Sequence, residues 1–174
     1  IAMIDDATGR LLARFYEGDT SASNMDLIGR WIARWGRPLA LYSDQASHFF
    51  VTHSQAIQPV PTQIRRALGE LGIELIRARS PQAKGRIERA FGTLQDRLVK
   101  ALRRAGVRTL EGANRFMEEP WEAIWEERWV RAPAQALDVH RDAQGYALEA
   151  ILCAHEPRRV ARDFTLGVDG VRLQ

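Results

Sequence analysis

The sequence predicts an α/β fold: a mixed sheet with flanking helices, then a helical stretch, then the opening of a small β unit. Three observations carry this. Short apolar runs alternate with amphipathic patterns in the order β-β-α-β-α-β-α through residues 1–108. Composition shifts at Thr109 to a stretch rich in Glu and Trp. Strand-like runs separated by glycine turn signals follow near the end. The expected divisions are therefore 1–108, 109–145 and 146–174.

The opening run Ile1–Ile4 is apolar at once and reads as a buried strand. Asp5 to Arg10 is a turn, because Asp and Thr bond their own backbone and Gly9 permits positive φ. Leu11–Tyr16 is the returning strand, so the opening is a hairpin. Thr20, Ser21 and Ser23 are candidate caps for a helix over Asn24–Trp35. Met25, Ile28, Trp31, Ile32 and Trp35 share its inner face, and Gly36 ends it. Leu39–Tyr42 is a short buried strand that delivers Asp44 to its carboxyl end. In α/β sheets that edge collects ligands and catalytic groups.

Residues 45–61 read as irregular. Thr62 caps a helix to Leu71, Gly72 stops it, and Ile73–Ile76 is a strand. The helix from about Ala83 to Ala105 follows. Ile87, Phe91, Leu94, Leu98 and Leu102 form its apolar stripe, with Glu88 about 100° round from it. Beyond Thr109, Asn114–Arg131 is helical and interrupted by Pro120, with Phe116, Trp121, Trp125 and Trp129 packing on the core. Ala132–Ala134 is a bend, Ala147–Cys153 is apolar, and Arg158–Val160 and Phe164–Leu166 are strand-like.

The chain has 174 residues and a net charge of +3. No apolar run is long enough to span a membrane. A single cysteine, Cys153, excludes an internal disulfide and fits a reducing cytoplasm. The histidines, His48, His53, His140 and His155, lack zinc-ligand spacing and read as ordinary loop or surface residues. The charge is unevenly placed. From Ile64 to Arg108 there are twelve Lys and Arg against four acids, and the rest of the chain is net negative. Such a block is the footprint of a surface that meets a polyanion such as nucleic acid.

Asp44 and Glu88 are separated by a loop, a helix and a strand, enough chain to meet over one sheet edge. Carboxylates gathered there suit Mg²⁺ or Mn²⁺, which prefer oxygen ligands. Two such ions roughly 4 Å apart serve phosphodiester transfer. Spacing alone leaves both residues open to blander readings, as a turn residue and a surface acid.

Three segments narrow the choice. Ile4–Leu11 resembles a second-to-third-strand hairpin. Tyr42-Ser43-Asp44-Gln45-Ala46-Ser47-His48-Phe49 resembles a (T/S)-D-(N/x)-G-x-x-F motif, with Gln45-Ala46 in place of Asn-Gly. Ser80-Pro81-Gln82-Ala83-Lys84-Gly85-Arg86-Ile87-Glu88-Arg89 resembles P-x-x-x-x-G-x-x-E. In this order they resemble the catalytic core of DDE transposases and retroviral integrases, and among these bacterial insertion-sequence transposases. The resemblance implies an RNase H-like mixed sheet and metal-dependent cleavage and strand transfer of DNA. It implies that Asp44 and Glu88 are catalytic acids and metal ligands for two Mg²⁺ or Mn²⁺ ions, and Lys84, Arg86 and Arg89 beside Glu88 are the candidates for contacts to the DNA backbone. Its expected partners are transposon-end and target DNA and further copies of the chain, in a bacterial cytoplasm.

The family's first catalytic Asp lies on a strand before the hairpin, and this chain starts at the second strand. Asp5 and Asp6 match the turn instead. In the resembled fold the first strand sits between the second and fourth. The expectation is a chain truncated at both ends and, with its acid set incomplete, inactive alone. Ile1–Ile4 is then not paired to Leu39–Tyr42. The tail, Leu148 to Leu166, resembles the linker and first strands of a small β-barrel found after the core in many bacterial transposases. Two alternatives stay open: a non-catalytic DNA-binding remnant and an RNase H-like nuclease.

Overall fold

The computed structural model describes residues 1–44, 46–50, 61–78, 81–168 and 170–173, with the side chains of 81–84 excepted. The readings made for Gln45, His53 and most of 45–61 fall outside the described residues.

The chain opens with β1 (Ala2–Ile4) and β2 (Leu11–Ala13), paired antiparallel with Ala2 opposite Ala13. Asp5 organises the turn. Its carboxylate accepts from the backbone N–H groups of Ala7 (3.2 Å) and Thr8 (3.1 Å) and from the Thr8 hydroxyl. Gly9 completes it at φ +76°. Asp5 is thereby committed to the hairpin turn.

Helix α1 (Ser21–Trp35) starts at Thr20, the first of the expected caps. Thr20 and Ser23 exchange side-chain-to-backbone bonds, satisfying two otherwise orphaned N–H groups. The predicted inner face is buried at Met25, Ile28, Trp31 and Ile32. Helix α2 (Gln63–Glu70) is capped by Thr62 as expected. It buries Ile64, Ala67 and Leu68 against α1.

The described strands form separate two-stranded sheets rather than one mixed sheet, and Ile1–Ile4 is not paired to Leu39–Tyr42, as expected. β3 (Ala40–Ser43) pairs in parallel with β4 (Glu74–Arg77), and β1 pairs only with β2 among the described pairings. A groove separates β1 from β3, and both contribute to its walls. For that reason β3 is half-buried rather than buried, and Tyr42 is 59% exposed.

Successive side chains of β1 reach different cores, as a strand's period of two requires. Met3 packs with α1 and α2, on a cluster that includes Ile28, Ile64 and Leu68. Ala2 and Ile4 pack on a second cluster built from Leu11, Ala90, Leu94, Leu98, Met117, Trp121 and Trp125.

The central helix is not a uniform α-helix. It runs as α3 (Pro81–Thr93), a π-helical turn at Leu94–Leu98, and α4 (Val99–Arg104). Val99 N–H donates to Leu94 C=O, five residues back. The expected apolar stripe is divided. Ala90, Leu94 and Leu98 are buried in the second core, whereas Phe91 is 41% exposed and lines the groove between β1 and β3 with Ile87.

Thr109 caps a second long helical run, α5 (Leu110–Phe116), a π turn at Met117–Trp121 and α6 (Glu122–Trp129). Pro120 sits inside that wide turn. Proline cannot donate to the carbonyl four residues back and its ring crowds that carbonyl, so a widened turn accommodates it without ending the helix. Asn114 fastens this run to the hairpin: its Oδ1 accepts from Phe15 N–H (2.8 Å) and its Nδ2 donates to Phe15 C=O (3.0 Å).

The stretch after Val130 is held at Arg37, whose backbone exchanges two bonds with Arg141 (2.7 and 2.9 Å). A short α7 (Leu148–Ile151) packs its apolar residues on the first core. The tail forms one hairpin, β5 (Leu166–Val168) and β6 (Val171–Leu173). Arg158–Val160, expected as strand, is irregular. No closed barrel forms among the described residues, and no helix among them is long and apolar enough to cross a membrane.

Candidate functional site

Asp44 and Glu88 come to the same groove. Asp44 follows the last residue of β3, at the carboxyl end of the parallel β3–β4 pair. The two-strand edge positions it, and its Oδ1 accepts from Ala46 N–H at 3.1 Å. Glu88 lies on the third turn of α3 and is exposed. Both line a cavity of about 540 Å³ between β1, α1, β3 and α3. Its floor is apolar, from Met3, Leu27, Ile28, Leu41 and Phe91, so its polar character is concentrated at the acids.

A third carboxylate, Asp19, reaches the same cavity from the loop before α1. Asn24 Nδ2 donates to it at 2.6 Å, and His48 Nε2 stands 4.0 Å away. Sequence reading treats that loop only as a source of helix caps. The Asp19–Asn24 contact, one helical turn into α1, is the local signal that fixes its direction.

The donor set suits a hard divalent cation in kind, since carboxylate oxygens are what Mg²⁺ and Mn²⁺ take. It is incomplete in number. Among the described residues no three His, Cys, Asp or Glu side chains stand close enough together to hold a metal ion.

Arg86 and Arg89, expected beside Glu88, are not among the residues that line its groove. Arg86 and Arg89 line a different cavity, of about 570 Å³, on the other side of α3. Helical geometry explains this: Arg86 is about 200° round the axis from Glu88, and Arg89 about 100°. Arg86 Nε pairs with Asp6 at 2.5 Å. The Lys84 side chain lies outside the described residues. Among the described histidines, His140 is engaged by Asp138 (2.8 Å) and by the Trp31 indole (3.3 Å), as an ordinary structural residue.

No family model matches the chain. The chain is similar to y4bF of Sinorhizobium fredii (strain NBRC 101917 / NGR234), which bears a transposase name. The two are 36% identical over 177 residues, covering 99% of this chain and 38% of that protein. It is also similar to the transposase for insertion sequence IS1202 of Streptococcus pneumoniae, 36% identical over 118 residues, covering 66% of this chain and 25% of that protein. The chain thus spans well under half the length of either relative, and nearly all of it is similar to a stretch of the first.

Proposed function

We propose that the chain is part of the catalytic core of a DDE-type transposase with an RNase H-like fold, acting in DNA transposition. One observation carries the reading: two acids 44 positions apart in sequence, Asp44 and Glu88, line one groove at the carboxyl end of a parallel strand pair. The similarity to proteins named as transposases supports transposition as the process.

In this reading Asp44 and Glu88 hold Mg²⁺ or Mn²⁺, two ions in the complete site. The bound cations supply charge neutralisation at the scissile phosphate and favour loss of the nucleophile's proton. The chain's own contribution is placement. The β3 terminus fixes Asp44, the α3 backbone fixes Glu88, and the apolar floor raises the strength of any charge interaction made over it. A strand inserted between β1 and β3, bringing a further carboxylate, completes the donor set in this proposal. DNA ends and target DNA are the substrates, and a second copy of the chain is an expected partner.

The test is transposition of a marked element, with its own ends, in bacteria supplying the protein with Glu88→Gln or Asp44→Asn. Each exchange keeps the shape and removes the charge, and each is expected to lower transposition about a hundredfold or more. Wild-type frequency with Glu88→Gln refutes the role given to that residue. DNA binding without metal-dependent cleavage by the wild-type protein would instead favour a non-catalytic binding module.

A further inference from the structure

The cavity on the far side of α3 combines three cations with an aromatic wall. Arg86, Arg89 and Arg97 line it together with Trp129, which is half-buried, and the buried Trp125 behind it. The two indoles pack at a tilt of 33°, with ring centroids 4.8 Å apart, and the Trp125 indole donates to Gly9 C=O at 3.0 Å. Trp125 is therefore fixed by the hairpin turn and in turn supports Trp129.

The acids at this cavity are already engaged. Asp96 lines it and is paired with Lys100 (2.5 Å) and Arg97 (3.1 Å). Those cations hold the Asp96 carboxyl below its usual range, Lys100 most of all. Asp6, paired with Arg86, is 87% exposed. Exposed pairs of this kind contribute little to stability, so breaking them to meet a phosphate costs little. Arg89 is exposed, with its guanidinium over Gly85, where a Cβ would stand 3.5 Å from Nη1, and at Gly92, which lines the cavity, a Cβ would meet only open space.

We infer that this Arg86–Arg89–Arg97–Trp129 cavity binds an unpaired nucleotide of a nucleic-acid strand, with phosphates on the arginines and the base against Trp129. Arginines that track a backbone beside an aromatic face are the two elements of single-strand recognition. A duplex offers the arginines phosphates but keeps its bases stacked away from the tryptophan. The inference extends the proposed function, because it gives Arg86 and Arg89 a strand separate from the one at Glu88. The α3 helix then stands between two strands, with the acids on one side and the arginines on the other.

The probe is a labelled thymidine oligonucleotide titrated into the chain, against a duplex of the same length. Arg89→Ala with Arg97→Ala is expected to weaken the single strand about tenfold and to lower its salt slope by about 1.4, because two phosphate-binding cations are removed. Trp129→Phe, with its fold checked by circular dichroism, is expected to weaken the single strand and leave the duplex unchanged. Arg159→Ala with Arg162→Ala removes the same charge from exposed positions off the cavity and outside the basic block, and is expected to change binding less than about twofold. Equal loss in the two arginine pairs overturns the inference, as does a Trp129→Phe variant that binds the single strand like wild type. Those results would leave the Glu88→Gln transposition test untouched, and a failure of that test would leave this one standing.

Discussion

Asn114 offers the sharpest test of how the helical run after Thr109 is joined to the hairpin. Its side chain is 6% exposed and spans both polar groups of Phe15, one bond as acceptor and one as donor. Asn114→Ala removes both bonds and leaves the Phe15 N–H and C=O without these partners. A buried group left unsatisfied costs about 1–3 kcal/mol. Because Phe15 is itself only half-buried, water recovers part of that loss. The expected net cost is about 2–3 kcal/mol, near the lower end for two groups. For a chain of this size, that lowers the melting temperature by about 5–10 °C. Far-ultraviolet circular dichroism gives the melt, and the near-ultraviolet tryptophan signal follows Trp121, Trp125 and Trp129 on the same sample. Both signals are expected to shift together, since the hairpin and α5–α6 share one apolar cluster. A melt within about 1 °C of wild type would refute the reasoning. So would a shift in one signal alone.

Two further outcomes follow from local geometry and charge. Gly36 stands at φ +89°, and a Cβ there would lie 2.7 Å from Arg141 C=O, so Gly36→Ala is expected to cost about 2 kcal/mol or more by urea unfolding. Wild-type stability in that variant would show that the Arg37–Arg141 bridge gives way freely. Asp26 takes hydrogen bonds from Tyr16 (2.6 Å) and Arg30 (2.8 Å). Burial pushes its carboxyl up, but those bonds and the Arg30 and Arg14 charges outweigh it, and the group lies below the usual carboxylate range. A lowered folded-state value means stability that is present above the unfolded value, about pH 4, and lost as pH falls through the folded one. The stability gap between wild type and Asp26→Asn is thus expected to close on acidification, in unfolding curves taken from neutral pH downward. A gap that stays constant would place the stabilisation elsewhere.

What the sequence reveals here is chiefly local. Thr20 and Thr62 cap helices because a side-chain oxygen three residues ahead of an N–H can satisfy it whatever surrounds the pair. Gly36 and Gly72 end helices through positive φ that other residues resist. The convergence of Asp44 and Glu88 on one groove is legible because each is placed by the end or turn of a regular element. Phase and pairing are harder. The apolar stripe from Ile87 to Leu102 assumes one shared environment, but the helix serves two: Ile87 and Phe91 line the groove, while Leu94, Leu98 and Leu102 pack on the second core beside Ala90. That Ile1–Ile4 does not pair with Leu39–Tyr42 follows from the family resemblance, and the described pairings agree, but neither segment encodes it alone. Asn114 and Asp19 escape notice for a related reason: their partners, Phe15 and the groove, are distant or shaped by other elements.

The wide turn at Leu94–Leu98 has a mechanical meaning. A uniform α-helix is a rigid rod whose faces are locked in phase from end to end. An additional residue in one turn works as a fixed angular coupling between two shafts. The upstream shaft can set Glu88 by the demands of the groove, while the downstream one seats Leu98 by the demands of the core. Shortening that turn by one residue would reimpose a common phase, and the chain would have to misalign either its acid or its packing.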